Sequence, residues 1–248
     1  SYLIFVNKNH YGFGTRDGLW PEKSVEFINQ IKPQPNIYHT FAYGNYLNQY
    51  LRDYKVFADP RETIFLDVAQ LVYKSFSSPS ALNSIVRQFN IQTMLVKIPG
   101  TRFIQDYGFL DRIEEFLPKE DWALVFFDEI SIVVLKRIPA HQKIIDQFEY
   151  KYLKPNLPHF LLFQEQTDHS VLKEELDRCF KLFPENFYCL LANSTYARLY
   201  KDQSKIEEIE PILSRLSKRF PRNKSLKMEL KFLQSGNSTS VIRVLPSK

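Results

Sequence analysis

Five histidines, His10, His39, His141, His159 and His169, are the strongest metal-ligating side chains in the chain, and no two of them stand four residues apart. Neither cysteine, Cys179 or Cys189, has a histidine close to it in sequence. A metal centre needs three or four such ligands to converge, so no metal is expected. There is no Gly-x-Ser-x-Gly nucleophile elbow and no phosphate-binding P-loop. Gly12-Phe13-Gly14 carries two of the three glycines of a dinucleotide turn and does not follow a convincing strand. The expectation is a chain with no self-contained catalytic site and no cofactor.

Binding chemistry is concentrated in one segment, His39 to Phe65. Two short β-rich runs end near Thr40 and Ala58. In a parallel sheet both ends point to one edge, which is where open α/β sheets take ligands. That edge would gather His39, Thr40, Tyr43, Gly44, Asn45, Asp59 and Arg61 as ligand-binding candidates. Asp59 serves either as a carboxylate held for a ligand or as a cap on the following helix. Arg61 either pairs with Asp59 or binds an anion. His39 is the second titratable group that an enzymatic use of the Asp59 edge would need.

The elements that must position these residues follow from periodicity. Glu22 to Lys32 reads as a helix with Val25, Phe27, Ile28 and Ile31 apolar, opened by Pro21 and closed by Pro33. Strand 36–40, helix 43–52, strand 55–58, helix 61–76, a short helix 79–89, strand 92–98 and helix 101–117 follow. Trp122 to Phe127 and Ile130 to Lys136 read as a hairpin whose polar tip is Asp128, Glu129 and Ser131. Alternation of this kind predicts an α/β domain over 1–138, with a mainly parallel sheet, flanking helices and a terminal antiparallel hairpin.

Residues 139–158 read as a linker helix, and from there the period is helical throughout. Phe183-Pro184-Glu185-Asn186 recurs 37 residues later as Phe220-Pro221-Arg222-Asn223. The spacing is close to the roughly 34 residues of a tetratricopeptide repeat. An aromatic ends one helix, proline stops it, and asparagine caps the next. Residues 159–235 are therefore expected to form an all-α tetratricopeptide-like segment, with a polar tail at 236–248. Cys179 and Cys189 fall on neighbouring helices of one hairpin, where a single bridge or two buried thiols both fit.

Composition bounds the class. Of 248 residues 44% are hydrophobic and 25% charged, ordinary values for a chain that buries a sizeable core. Aromatics reach 15% while glycine numbers 7, which argues against glycine-rich phosphate loops. Residues 1–150 carry 16 Lys and Arg against 17 Asp and Glu, and residues 151–248 carry 17 against 11. The basic half interleaves its charges along helices, as exposed faces do, so nucleic acid is not the expected partner. No stretch approaches the roughly 20 apolar residues of a membrane span. The chain opens on Ser1 rather than Met and is expected to be a trimmed fragment.

Four ordered pieces resemble a known family: Gly12-Phe13-Gly14, then Pro21 with Ser24-Val25-Glu26-Phe27-Ile28, then Tyr43-Gly44-Asn45-Tyr46-Leu47, then Val56-Phe57-Ala58-Asp59-Pro60-Arg61. Trp122 to Arg137 supplies a fifth stretch of likeness. Together they resemble the extracytoplasmic C-terminal region of bacterial polytopic membrane glycosyltransferases of the protein-mannosyltransferase type, in which tetratricopeptide repeats often follow. Asn45 stands where that pattern has a second glycine, and Pro60 where it has a glycine before the arginine. The resemblance implies membrane spans upstream, a catalytic acid in a loop outside this chain, and a periplasmic location. It also implies a soluble accessory role: binding an acceptor, a glycan or lipid-linked sugar, or a partner protein. The alternative expectation is an interaction module whose tetratricopeptide-like helices bind a peptide or protein.

Overall fold

The computed structural model describes residues 20–58, 66–75, 77–98, 113–155, 167–221 and 223–235. The first half is mixed α/β. Helix α1 (Glu22–Ile31) leads into β1 (Ile37–His39), α2 (Gly44–Tyr50), α3 (Leu66–Ser75), α4 (Pro79–Gln88), β2 (Thr93–Lys97), α5 (Ile113–Phe116), β3 (Trp122–Phe127), β4 (Ser131–Lys136) and α6 (Gln142–Phe148). The second half is α7 (His169–Leu182), α8 (Phe187–Leu199), α9 (Gln203–Arg219) and α10 (Lys224–Ser235). Among the described residues no helix is long and apolar enough to cross a membrane.

The sheet order is β1-β2-β4-β3. Among the described strands only the β1–β2 pair is parallel; β2–β4 and β3–β4 are antiparallel. The expected mainly parallel sheet is thus corrected to a mixed one, for two reasons. The return strand of the hairpin, β4, inserts beside β2 and converts the sheet's centre to antiparallel pairing. The run 55–58 makes a single parallel bridge, Val56 to Ile37, and contributes no strand.

Both faces of the sheet are covered, which is why its strands read as nearly unbroken apolar runs. Tyr38, Met94, Val96, Trp122, Phe127, Ile132 and Val134 face Val72 of α3, Leu82, Ile85 and Val86 of α4, and Leu172, Leu176 and Ala192 of α7 and α8. Ile37, Leu95, Ala123, Phe126, Val133 and Leu135 face Val25, Phe27 and Ile28 of α1, Leu47 of α2 and Ile145 of α6. A bulge between Leu124 and Phe126 shifts the alternation of β3 by one residue. Val125 and Phe126 therefore share one face, and Phe127 returns to the other.

The helical half is a run of antiparallel neighbours: α7 packs on α8, α8 on α9, α9 on α10, and α10 back on α8. The repeated tetrapeptide makes the same turn twice. The amides of Phe183 and Phe220 bond back to Cys179 and Leu216, closing α7 and α9. Asn186 Oδ1 accepts from the Cys189 amide at 3.0 Å, and Asn223 Oδ1 from the Leu226 amide at 3.2 Å, opening α8 and α10. Asp168 and Asp202 cap α7 and α9 in the same way. Cys179 and Cys189 form a buried disulfide with Cα atoms 5.8 Å apart, within the range a bridge requires. The expected linker helix is shorter than 139–158. A 3₁₀ turn spans Pro139–His141, α6 ends at Phe148, and the chain then runs as a non-helical strap.

Candidate ligand-binding cleft

Five of the seven residues expected at the sheet edge, His39, Thr40, Tyr43, Gly44 and Asn45, are described, and the polar side chains of His39, Thr40 and Tyr43 hold the chain together. His39 is fully buried; its Nε2 accepts the Ala58 amide at 3.3 Å, so Nδ1 carries the proton and donates to the Thr40 carbonyl at 3.0 Å. Thr40 Oγ1 accepts the Lys97 amide at 2.8 Å, extending the β1–β2 ladder by one residue. The buried Tyr43 hydroxyl donates to the Ile130 carbonyl at 2.9 Å and ties α2 to the hairpin turn. Gly44 is buried beneath it, and Asn45 is exposed on the first turn of α2. Asp59 and Arg61 lie outside the described residues, as do Gly12-Phe13-Gly14, His10 and His159.

The hairpin tip beside this edge is also internally satisfied. Asp128 is buried, and its Oδ1 accepts the amides of Ile130 and Ser131 at 2.9 and 2.8 Å and the Ser131 hydroxyl at 3.1 Å. Burial pushes its carboxyl above the usual range, against the pull of these bonds. Burial and the neighbouring Asp128 charge likewise push the Tyr43 phenol far up, so Tyr43 stays a neutral donor. Ser131 Oγ lies 2.8 Å from Ser24 Oγ on α1. Asp128 and Glu129 lie in the turn as expected, whereas Ser131 is the first residue of β4, paired with Lys97.

A larger concavity, about 640 Å3, opens on the sheet face at the β3 side. Its floor is Trp122 and Leu124 of β3 with Ile132 and Val134 of β4. Ile113, Glu114 and Leu117 form one wall. Gln142, Asp146 and Glu149 line another; their spacing of four and three residues puts them on one helical face. Tyr150, Tyr152 and Lys154 of the strap complete it. Gln142 Nε2 donates to Asp146 Oδ1 at 2.7 Å. Arg137 pairs with Glu149 through both guanidinium nitrogens, and its Nε donates to the Lys119 carbonyl at 2.7 Å. Lys154 pairs with Glu114.

The helical half holds the strap in place. Glu175 of α7 is buried, and its carboxylate accepts three successive amides, Lys151 at 2.6 Å, Tyr152 at 3.1 Å and Leu153 at 2.8 Å. Burial pushes this carboxyl up, while the three amides pull it down. One turn on, Arg178 donates to the carbonyls of Gln147 and Glu149 at 3.1 and 2.6 Å and lies over the Tyr150 ring at 4.2 Å. Two charged residues three apart on α7 thereby set the cleft wall.

An apolar floor ringed by carboxylates, an amide and the cations Lys119, Arg137, Lys151 and Lys154 suits recognition of a polar, partly apolar ligand. None of the described lining residues is Ser, Thr, Cys or His. Among the described residues, no three His, Cys, Asp or Glu side chains converge as metal ligands. No sequence motif marks this cleft. Its one legible trace was the polar row Gln142, Asp146 and Glu149, opposite the inward Ile145. Compared with known proteins, the chain matches no family model, no curated protein and no solved structure.

Proposed function

We propose that this chain is a non-catalytic binding module that takes a saccharide, the glycan of an acceptor or of a lipid-linked sugar, in the cleft braced by α7. The observation that carries the reading is the lining. The half-buried Tyr152 supplies ring surface above the edges of the buried Trp122 and Tyr150, and Gln142, Asp146, Glu149 and Arg137 supply donors and acceptors around it. Sugars present alternating C–H faces and hydroxyl edges, which such a mixture complements. A role as the extracytoplasmic part of a membrane glycosyltransferase-like protein accords with the buried Cys179–Cys189 bridge, since disulfides persist in oxidising compartments.

The test is an NMR titration of the chain with neutral mannose-, glucose- and N-acetylglucosamine-based oligosaccharides, following the Trp122 indole N–H and the Tyr152 amide. Saturable shifts are expected with at least one of them. Gln142→Ala and Asp146→Ala, both on an exposed helix face, should weaken binding by about tenfold each. No saturable shift with any sugar, or equal binding by both variants, overturns the reading. A second reading, a peptide held along α7–α10, draws on the exposed Leu182, Tyr200, Phe220 and Met228, all in the helical half.

A further inference from the structure

On the opposite side of the sheet, α1 and α2 enclose a second, smaller groove of about 320 Å3. Tyr46 and Tyr50 stand four residues apart on α2, so their rings share a face, 4.4 Å between centroids. Trp20 stacks on Tyr46 at 5.7 Å, its ring within 8° of parallel. Tyr50 is 45% exposed. Opposite the rings α1 presents Glu22, Glu26 and Asn29, again on one helical face, with Val25 below.

The electrostatics of this groove are one-sided. No Lys, Arg or His is among its described lining residues. Glu26 makes no ion pair among the described residues, and the nearest basic residue of α1, Lys23, is turned away to Glu129 at 3.6 Å and to the Phe183 ring. The two carboxylates are felt at the rings. Burial first, then Glu22, Tyr50 and Glu26, push the Tyr46 phenol up to about 12. One N–H of the Asn29 side-chain amide is engaged by the Tyr50 carbonyl at 3.2 Å, which ties α1 to α2 across the groove. A ring face beside the Glu26 carboxylate fits a cation with an apolar shell.

We infer that the α1–α2 groove binds an alkylammonium ion, with its alkyl shell on the exposed Tyr50 ring and its charge against the Glu26 carboxylate. This site is separate from the saccharide cleft, and neither depends on the other. The attraction of the ring face and of the carboxylate both require the positive charge, so an uncharged ligand of the same shape keeps only the apolar contact.

Choline and its uncharged carbon isostere, 3,3-dimethylbutan-1-ol, make the test. NMR shifts of the Trp20 indole N–H and the Asn29 and Tyr50 amides are followed up to tens of millimolar ligand. Choline should give saturable shifts, and the isostere should bind at least about tenfold more weakly. Tyr50→Ala and Glu26→Gln replace exposed side chains and should keep the thermal midpoint while weakening choline by about fivefold or more. Equal binding of choline and the isostere overturns the inference. So does a saturable response to a neutral sugar with none to choline, or choline shifts that both variants leave unchanged.

Discussion

The two copies of the Phe-Pro-x-Asn turn share a backbone and differ in what surrounds them. At the first copy, Phe183 packs edge-on against Phe126 of β3 at 5.3 Å and lies under Lys23 of α1. At the second, Phe220 is 48% exposed. The hairpin α7–α8 is correspondingly fused to the α/β half through Glu175, Arg178 and Phe183. The hairpin α9–α10 coheres with its neighbour through Leu213, Leu216, Leu226 and Leu233, and through Arg198–Glu229, a 2.8 Å pair buried between α8 and α10. The same local turn therefore packs against the sheet at one end and faces outward at the other. The difference lies in the partner, not in the motif.

The comparison breaks most visibly at Glu175. Glu175→Ala leaves three strap amides without their acceptor and should lower the unfolding free energy by about 3 kcal/mol, read from the urea midpoint. If the junction is what the first hairpin contributes, this variant also loosens the cleft wall, seen as shifted Tyr150 and Tyr152 amides. A stability change near zero would mean that the two halves are held elsewhere. Next in size are the two phenylalanines. Phe183→Ala should cost about 1–3 kcal/mol, while Phe220→Ala should stay within about 0.5 kcal/mol. Equal losses would erase the distinction between the turns.

The asparagines sharpen it from the other side. Asn186→Ala and Asn223→Ala each remove one N-cap and should each cost about 1 kcal/mol, because capping is local and indifferent to the partner. The smallest effect is a pH response confined to the α/β half. His141 is buried, donates from Nδ1 to the Lys136 carbonyl and accepts the Gln34 amide on Nε2 at 3.0 Å, an arrangement only the neutral ring can make. Burial, opposed by the Lys136 carbonyl, holds its pKa below the ordinary value of about 6.5. The unfolded chain then binds the proton first. The stabilisation is complete above about 6.5 and is lost as pH falls from there through the lower folded value. Urea midpoints between pH 8 and 5 should show this slope, and His141→Gln should flatten it.

Much of the helical half was legible because its signals are local. Asn186 and Asn223 cap the helices they precede, and the tetrapeptide turn forms as its residue types dictate. The α1 helix, the hairpin β3–β4 and the polar turn at Asp128 were legible for the same reason. The candidate edge was legible only as a location. His39, Thr40 and Tyr43 do come together beyond β1, but their side chains are engaged by Ala58, Lys97 and Ile130, partners 19, 57 and 87 residues away. The cleft was the least legible feature. Its floor comes from β3 and β4, and one of its walls is held by a glutamate from the other half of the chain.

By itself, then, the amino-acid sequence determined the class of the protein, the order of most elements, both repeated turns and the helix caps. Each depends on residues within a turn or two of one another. Tertiary structure alone decided the mixed pairing of the sheet, since an apolar run can pair in either direction until a neighbour is chosen. It also decided that Cys179 and Cys189 meet as a bridge, that Glu175 braces the strap, and that two grooves open on opposite sides of the sheet. These are contacts between distant segments, and they are selected by the shared burial of surfaces that no local pattern specifies.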